Sequence, residues 1–115
     1  MNMTIPLPTV PGPAAADCCA PAAGLDSQLD AARIAAVAKA LAEPVRVNLL
    51  DVLRRSPAPV CQCELVPLFD IPQSTLSHHI SKLVDAGLVQ VERRHRWAYY
   101  SVPAGAAEEL IAWLS

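Results

Sequence analysis

Apolar residues recur along the chain at helical spacing in several stretches and alternate in one. Leu29, Ile34, Val37, Ala38 and Leu41 predict a first helix over 26–42, with Asp26 or Ser27 as its N-cap. Pro44 opens a second helix to about Arg55, which buries Val45, Leu49, Val52 and Leu53. Arg54 and Arg55 complement the negative end of its dipole, and Ser56-Pro57-Ala58-Pro59 stops it. A short third helix is expected within 61–69, with Leu65, Leu68 and Phe69 inward. Pro67 would remove an internal hydrogen bond from a helix begun at Cys61, so regular helix is expected from Cys63 or Glu64.

The fourth helix, over 73–86, is the stretch around which the rest is organised. Leu76, Ile80 and Leu83 fall within roughly 60° of one another at about 100° per residue, giving one edge that can bury. Pro72 fits at or just before its first turn and Gly87 fits the left-handed position after its last. Residues 88–92 then alternate, with Val89 and Val91 on one face, and 97–102 are rich in aromatic and branched side chains. Between them Arg93-Arg94-His95-Arg96 makes a β-hairpin with a cationic tip. A last helix is expected over 104–114, with Ala107, Leu110, Ile111 and Leu114 on one side.

Helix, short helix, turn, polar-faced helix and basic hairpin, in that order, predict a winged helix-turn-helix: mainly α with a small β-hairpin wing. The polar side of the fourth helix carries Gln73, Ser74, Thr75, Ser77, His78, Ser81 and Lys82, with no carboxylate until Asp85. Short donors and acceptors around one cation suit base edges in the major groove of double-stranded operator DNA. Arg93, Arg94 and Arg96 are expected to meet phosphates or the minor groove. His79 lies near the apolar edge and reads as a packed, hydrogen-bonded residue, and Trp97, Tyr99 and Tyr100 as packing of wing and core. The Ala- and Leu-rich first and last helices would form the face of a homodimer, whose two-fold axis lets two recognition helices read two half-sites.

Composition adjusts this picture at a few points. The chain of 115 residues carries a formal charge of −2, which is unlike most nucleic-acid binders. The distribution is uneven: residues 72–101 carry a net +2, while 1–71 and 102–115 each carry −2. The positive charge therefore sits in and after the proposed recognition helix. No run of 18 apolar residues and no basic start followed by an apolar block occurs, so no membrane span or secretory signal is expected and the cytoplasm is the default location. Residues 1–25 hold five of the eleven prolines and read as a flexible arm, leaving 26–115 as the DNA-binding and dimerisation domain. There is no glycine-rich phosphate loop, no Ser/His/acid arrangement and no Cys-x-x-Cys on a βαβ unit, so no enzyme is expected.

Three stretches resemble the ArsR/SmtB family of metal-responsive repressors. Ala40-Leu41-Ala42-Glu43-Pro44-Val45-Arg46 is similar to the family's approach to its second core helix. Gln73-Ser74-Thr75-Leu76-Ser77-His78-His79-Ile80, with Leu83 and Ala86-Gly87-Leu88-Val89, resembles its recognition helix, and Arg96-Trp97-Ala98-Tyr99-Tyr100-Ser101 the return strand of its wing. Val60-Cys61-Gln62-Cys63-Glu64-Leu65 resembles the Cys-x-Cys thiolate box of the arsenic- and cadmium-sensing branches. The resemblance implies a repressor released by a metal or metalloid. Some arsenic sensors of the family place a third thiol where this chain has Val66; others draw on an N-terminal arm with adjacent cysteines, as Cys18-Cys19 stand here. The family's wing tip often has Gly where this chain has His95, and its zinc site on the last helix is absent, since 103–115 contain no His.

Cys18, Cys19, Cys61 and Cys63 are thus the expected metal ligands. Soft thiolates select thiophilic ions: As(III) or Sb(III) with three sulfurs, or Cd(II), Pb(II) or Zn(II) with three or four. A thiol-redox sensor is the other reading of the same pairs. In a regular helix Cys61 and Cys63 would point about 200° apart, so both can hold one ion only if the first turn there is distorted or unformed. The expected mechanism is therefore unwinding or tilting of the third helix beneath the recognition helix, which spoils the half-site spacing.

Overall fold

The structure, a computed structural model, describes residues 29–115. The expected arm, Cys18, Cys19 and the caps Asp26 and Ser27 lie outside the described residues. Among the described residues, five helices and a three-stranded antiparallel sheet follow in the order α1 (Ala31–Ala40), α2 (Pro44–Arg55), β1 (Val60–Cys61), α3 (Gln62–Leu65), a 3-10 turn (Val66–Leu68), α4 (Gln73–Asp85), β2 (Gln90–Arg94), β3 (Trp97–Ser101) and α5 (Glu108–Leu114). This is the winged helix-turn-helix that the pattern predicts. Among the described residues, no helix is long and apolar enough to cross a membrane.

α1 starts at Ala31 because the Asp30 carboxylate accepts from the Arg33 N–H at 3.1 Å, so Asp30 is the N-cap. α2 has the bounds read from the sequence, with Pro44 in its first turn and Arg54 and Arg55 in its last. α4 runs from Gln73 after Pro72, and Gly87, at φ +77°, closes it, with Leu88 N–H donating back to Leu83 O at 3.0 Å. Leu49, Leu65, Leu76, Leu83 and Leu88 are completely buried and Ile80 nearly so. The buried edge of α4 thus meets α2, α3 and the base of the wing in a single core.

Four expectations are corrected. The stretch around Cys61 is not frayed helix but a two-residue strand, with Val60 opposite Tyr100 and Cys61 opposite Tyr99 on β3. Helix therefore begins at Gln62 and lasts one turn before Pro67 turns it into 3-10 geometry. That tightening swings Leu68 out to 64% exposure, while Leu65 stays buried. The first helix, expected over 26–42, starts only at Ala31 and ends at Ala40, with Leu29 and the cap Asp30 outside it. The last helix begins at Glu108 rather than 104, because Gly105 and Ala107 both take positive φ (+78° and +60°) and interrupt helical geometry.

Candidate nucleic-acid interface and thiol site

Burial of Leu76, Ile80 and Leu83 fixes the rotation of α4 and turns its polar side outward. Gln73, Ser74, Thr75, His78, Ser81 and Lys82 are all exposed, and Ser77 is half-buried at the edge of that face. Ser81 is partly committed: its hydroxyl donates to the His78 carbonyl at 3.0 Å. His79 is half-buried and accepts at Nδ1 from Arg46 Nε at 3.2 Å, the packed, hydrogen-bonded role expected of it. Arg46 also donates to the Ala40 carbonyl at 3.4 Å, so one guanidinium joins the end of α1, the start of α2 and the recognition helix.

The wing separates its three arginines by strand alternation. Arg93 stands opposite Ala98 and shares a face with Val91 and Tyr100, which turn toward α4. Arg94 stands opposite Trp97 on the other face. There it pairs with Glu92 at 3.0 Å and lies 4.9 Å over the Tyr99 ring. The Arg94 guanidinium holds the Glu92 carboxyl below the usual carboxylate range, and Glu92 in turn raises Arg94. Arg96, in the turn, lies 5.9 Å over the Trp97 ring. His95 meets the tight turn by taking φ +58°, a conformation that Gly reaches without strain.

Cys61 and Cys63 converge. Cys61 is extended (φ −71°, ψ 144°) and Cys63 lies in the first turn of α3, so the two side chains reach the same side. Cys63 Sγ and Cys61 Sγ are in direct contact, with Cys63 as donor, and both are free thiols, Cys61 buried and Cys63 exposed. No unwinding is needed to bring them together, because β1 has already removed the first helical turn. The hydrogen bond to Cys61, together with partial desolvation, raises the Cys63 thiol above its ordinary range, and the nearby Glu64 carboxylate adds to the effect. That carboxylate also accepts from the Cys61 backbone N–H at 3.2 Å. The pair offers two soft donors to one ion; among the described residues no third His, Cys, Asp or Glu stands close enough to complete a three-ligand cluster.

The thiols share one groove with polar residues of α4 and arginines of the wing. A cavity of about 650 Å³ is lined by Cys61 and Cys63 from the thiol box, Gln73 and Ser77 from α4, and Arg93, Arg96 and Trp97 from the wing. Gln62, the residue between the two cysteines, crosses it and donates a side-chain hydrogen bond to Ser77 Oγ. The structure thus brings Cys61, Cys63, Gln73, Ser77, Arg93 and Arg96 together and leaves Arg94 on the far side of the wing. Sequence reasoning missed the roles of Gln62 and Arg46. Position between two cysteines was the available signal for Gln62; a long-range partner such as His79 leaves none for Arg46.

Comparison with known proteins agrees with this architecture. The family described as "Bacterial regulatory protein, arsR family" matches residues 43–91, from the cap of α2 into β2. The arsenical resistance operon repressor of Staphylococcus aureus is 31% identical over 78 residues, covering 68% of this chain and 73% of that one. The repressor of the same name from Bacillus subtilis is 36% identical over 64 residues, covering 56% of this chain and 60% of its own. The regulator NmtR of Mycobacterium tuberculosis is 40% identical over 82 residues, 71% of this chain and 66% of that protein. The chain thus spans about three-fifths to three-quarters of these relatives' lengths. The crystal structure of an ArsR family transcriptional regulator superposes with a TM-score of 0.64 at 26% identity, over 72% of this chain and 84% of the other. With the polar-faced helix, the wing and the relatives in agreement, this chain belongs to the ArsR family of transcriptional regulators.

Proposed function

We propose that the protein is a homodimeric repressor of a metalloid-resistance operon that leaves its operator when As(III) or Sb(III) binds its cysteine thiolates. The observation that carries this reading is the convergence of Cys61 and Cys63 on the groove lined by Gln73, Ser77, Arg93 and Arg96. A soft ion held by both sulfurs replaces the thiol–thiol hydrogen bond and fixes β1 and the first turn of α3 together. β1 is a strand of the wing's own sheet and α3 is tied to α4 by the Gln62–Ser77 hydrogen bond, so the ion acts on both DNA-binding elements. This replaces unwinding of the third helix as the mechanism. Only an ion that prefers the DNA-free arrangement can release DNA. We assign the third thiolate to Cys18 or Cys19, since the described residues supply only two donors.

Two relatives carry arsenical resistance in their names, which supports arsenic as inducer. Two soft donors accept Cd(II), Pb(II) or Zn(II) as well, and the likeness to NmtR, which carries no arsenical name, keeps a divalent-ion sensor as the second reading. The DNA-contacting set we assign is Gln73, Ser74, Thr75, Ser77, His78, Ser81, Lys82, Arg93 and Arg96, with Arg94 at the margin. Dimerisation is assigned to α1 and α5. Arg33 of α1 and Glu109 of α5 pair at 2.8 Å, and Ile111, Trp113 and Leu114 beside them are exposed apolar side chains that a second copy would cover.

The test is fluorescence anisotropy of a labelled DNA fragment from upstream of the protein's own gene, with fully reduced protein, titrated with arsenite and with cadmium. Release by near-stoichiometric arsenite, abolished in Cys61→Ser/Cys63→Ser, is the expected result. Release by cadmium alone moves the assignment to a divalent-ion sensor. Indifference to both ions, with release on oxidation, moves it to a redox sensor.

A further inference from the structure

Gln62 is a half-buried polar residue flanked on both sides by the cysteines. It spans the groove and donates to Ser77 Oγ, fifteen residues away on the recognition helix. Other polar side chains on the DNA-facing side of α4 bond locally or point outward; Ser81, for example, bonds within its own helix. A hydroxyl has one proton to donate and two lone pairs to accept with. With Gln62 donating to one lone pair, the Ser77 proton is directed elsewhere, toward an acceptor on a base edge or a phosphate oxygen.

We propose that Gln62 is the positioning residue that orients Ser77 for DNA, and that the same hydrogen bond carries the thiol-bound inducer's signal to the recognition helix. The second clause rests on the reading of Cys61 and Cys63 as the inducer site. Gln62 is held from both ends: Cys61 is fixed in the sheet opposite Tyr99, and Cys63 sits in the single turn of α3. An ion drawing on both sulfurs sets the backbone geometry of the one residue between them, and the amide then loses its reach to Ser77. The recognition helix is left with a rotatable hydroxyl at the edge of its reading face. This link lies within one subunit and needs no change in the distance between half-sites.

The test is a double-mutant cycle in operator binding with Gln62→Met, Ser77→Ala and the pair, in the full-length protein. Met keeps the length and half-buried packing of Gln62 but neither donates nor accepts a strong hydrogen bond. Circular dichroism melting checks that each variant folds. Q62M is expected to weaken operator binding by roughly 2- to 12-fold, the range of one net hydrogen bond. Q62M/S77A is expected to bind no more weakly than S77A alone. Losses that multiply in the double variant overturn the positioning role. For the signal, the ratio of operator dissociation constants with and without arsenite is expected to shrink toward one in Q62M, while arsenite binding itself, followed by sulfur-to-arsenic ultraviolet absorbance, stays unchanged. An unaltered ratio with intact arsenite binding overturns the coupling role and leaves the inducer site standing. If arsenite fails to release the wild-type protein, the inducer assignment fails and the signalling clause with it, while the cycle in DNA binding still decides the positioning role.

Discussion

Arg46 Nε donates to His79 Nδ1 at 3.2 Å, tying the first turn of α2 to the middle of the recognition helix. The same guanidinium reaches the Ala40 carbonyl at the end of α1, so one side chain fastens three helices near the DNA-binding face. The bond involves a charged donor in a half-buried setting and is worth about 1.5–3 kcal/mol. Arg46→Met keeps the aliphatic packing and removes the bond; it is expected to lower the melting temperature by roughly 5–15 °C, read by circular dichroism. His79→Leu should cost a similar amount, and the double variant much less than the sum, because each removes the same contact.

The turn after α4 and the turn of the wing reach positive φ with different residues. Gly87 takes φ +77° with nothing within 4 Å of where a Cβ would stand, so only conformational strain opposes a side chain there. Gly87→Ala is expected to cost about 1 kcal/mol in chemical denaturation. His95 takes φ +58° with a full side chain, so His95→Gly should relieve local strain and be neutral to slightly stabilising in the same measurement.

The wing arginines should differ in what they contribute to DNA binding. Arg93 faces the groove beside α4 with no acidic partner among the described residues, whereas Arg94 is held by Glu92 at 3.0 Å on the opposite face. Arg93→Gln is expected to weaken operator affinity and reduce the slope of log affinity against log salt by about 0.9, the loss of one phosphate contact. Arg94→Gln should change that slope little. Anisotropy titrations at several salt concentrations distinguish the two.

Ion binding should strengthen as pH rises. The hydrogen bond from Cys63 to Cys61 raises the Cys63 thiol, so the thiolate needed for an ion is scarcer near neutrality than for a free cysteine. Below that raised value each pH unit gained should increase apparent affinity by up to about tenfold for every proton released. Above it the dependence should flatten. Titrations of cadmium between pH 6 and 9, followed by thiolate absorbance, give the slope; a flat profile would mean that Cys63 is not a ligand.

The elements with a strong internal period were legible in the sequence. α2 has a proline at its start, an apolar edge and arginines at its end, and it forms with the expected bounds. α4 is equally well marked by Pro72, Leu76, Ile80, Leu83 and Gly87. What the sequence did not reveal depends on contacts between distant segments. A two-residue strand at Val60–Cys61 has no alternation to read; its existence follows from Tyr99 and Tyr100 lying beside it. That strand decides the thiol geometry, because it replaces a helical turn that would have pointed Cys61 and Cys63 apart. The late start of α5 likewise turns on Ala107 adopting φ +60°, which alanine's helix propensity opposes.

The central claim, that occupancy of the Cys61–Cys63 pair and occupancy of the DNA face oppose each other, is tested most directly by reciprocity. Arsenite affinity would be measured on reduced protein alone and on protein saturated with operator. Linkage requires DNA to weaken arsenite binding by the same factor that arsenite weakens DNA binding. The account predicts equal factors, both lost in Cys61→Ser/Cys63→Ser. Arsenite affinity that is the same with and without operator would contradict it.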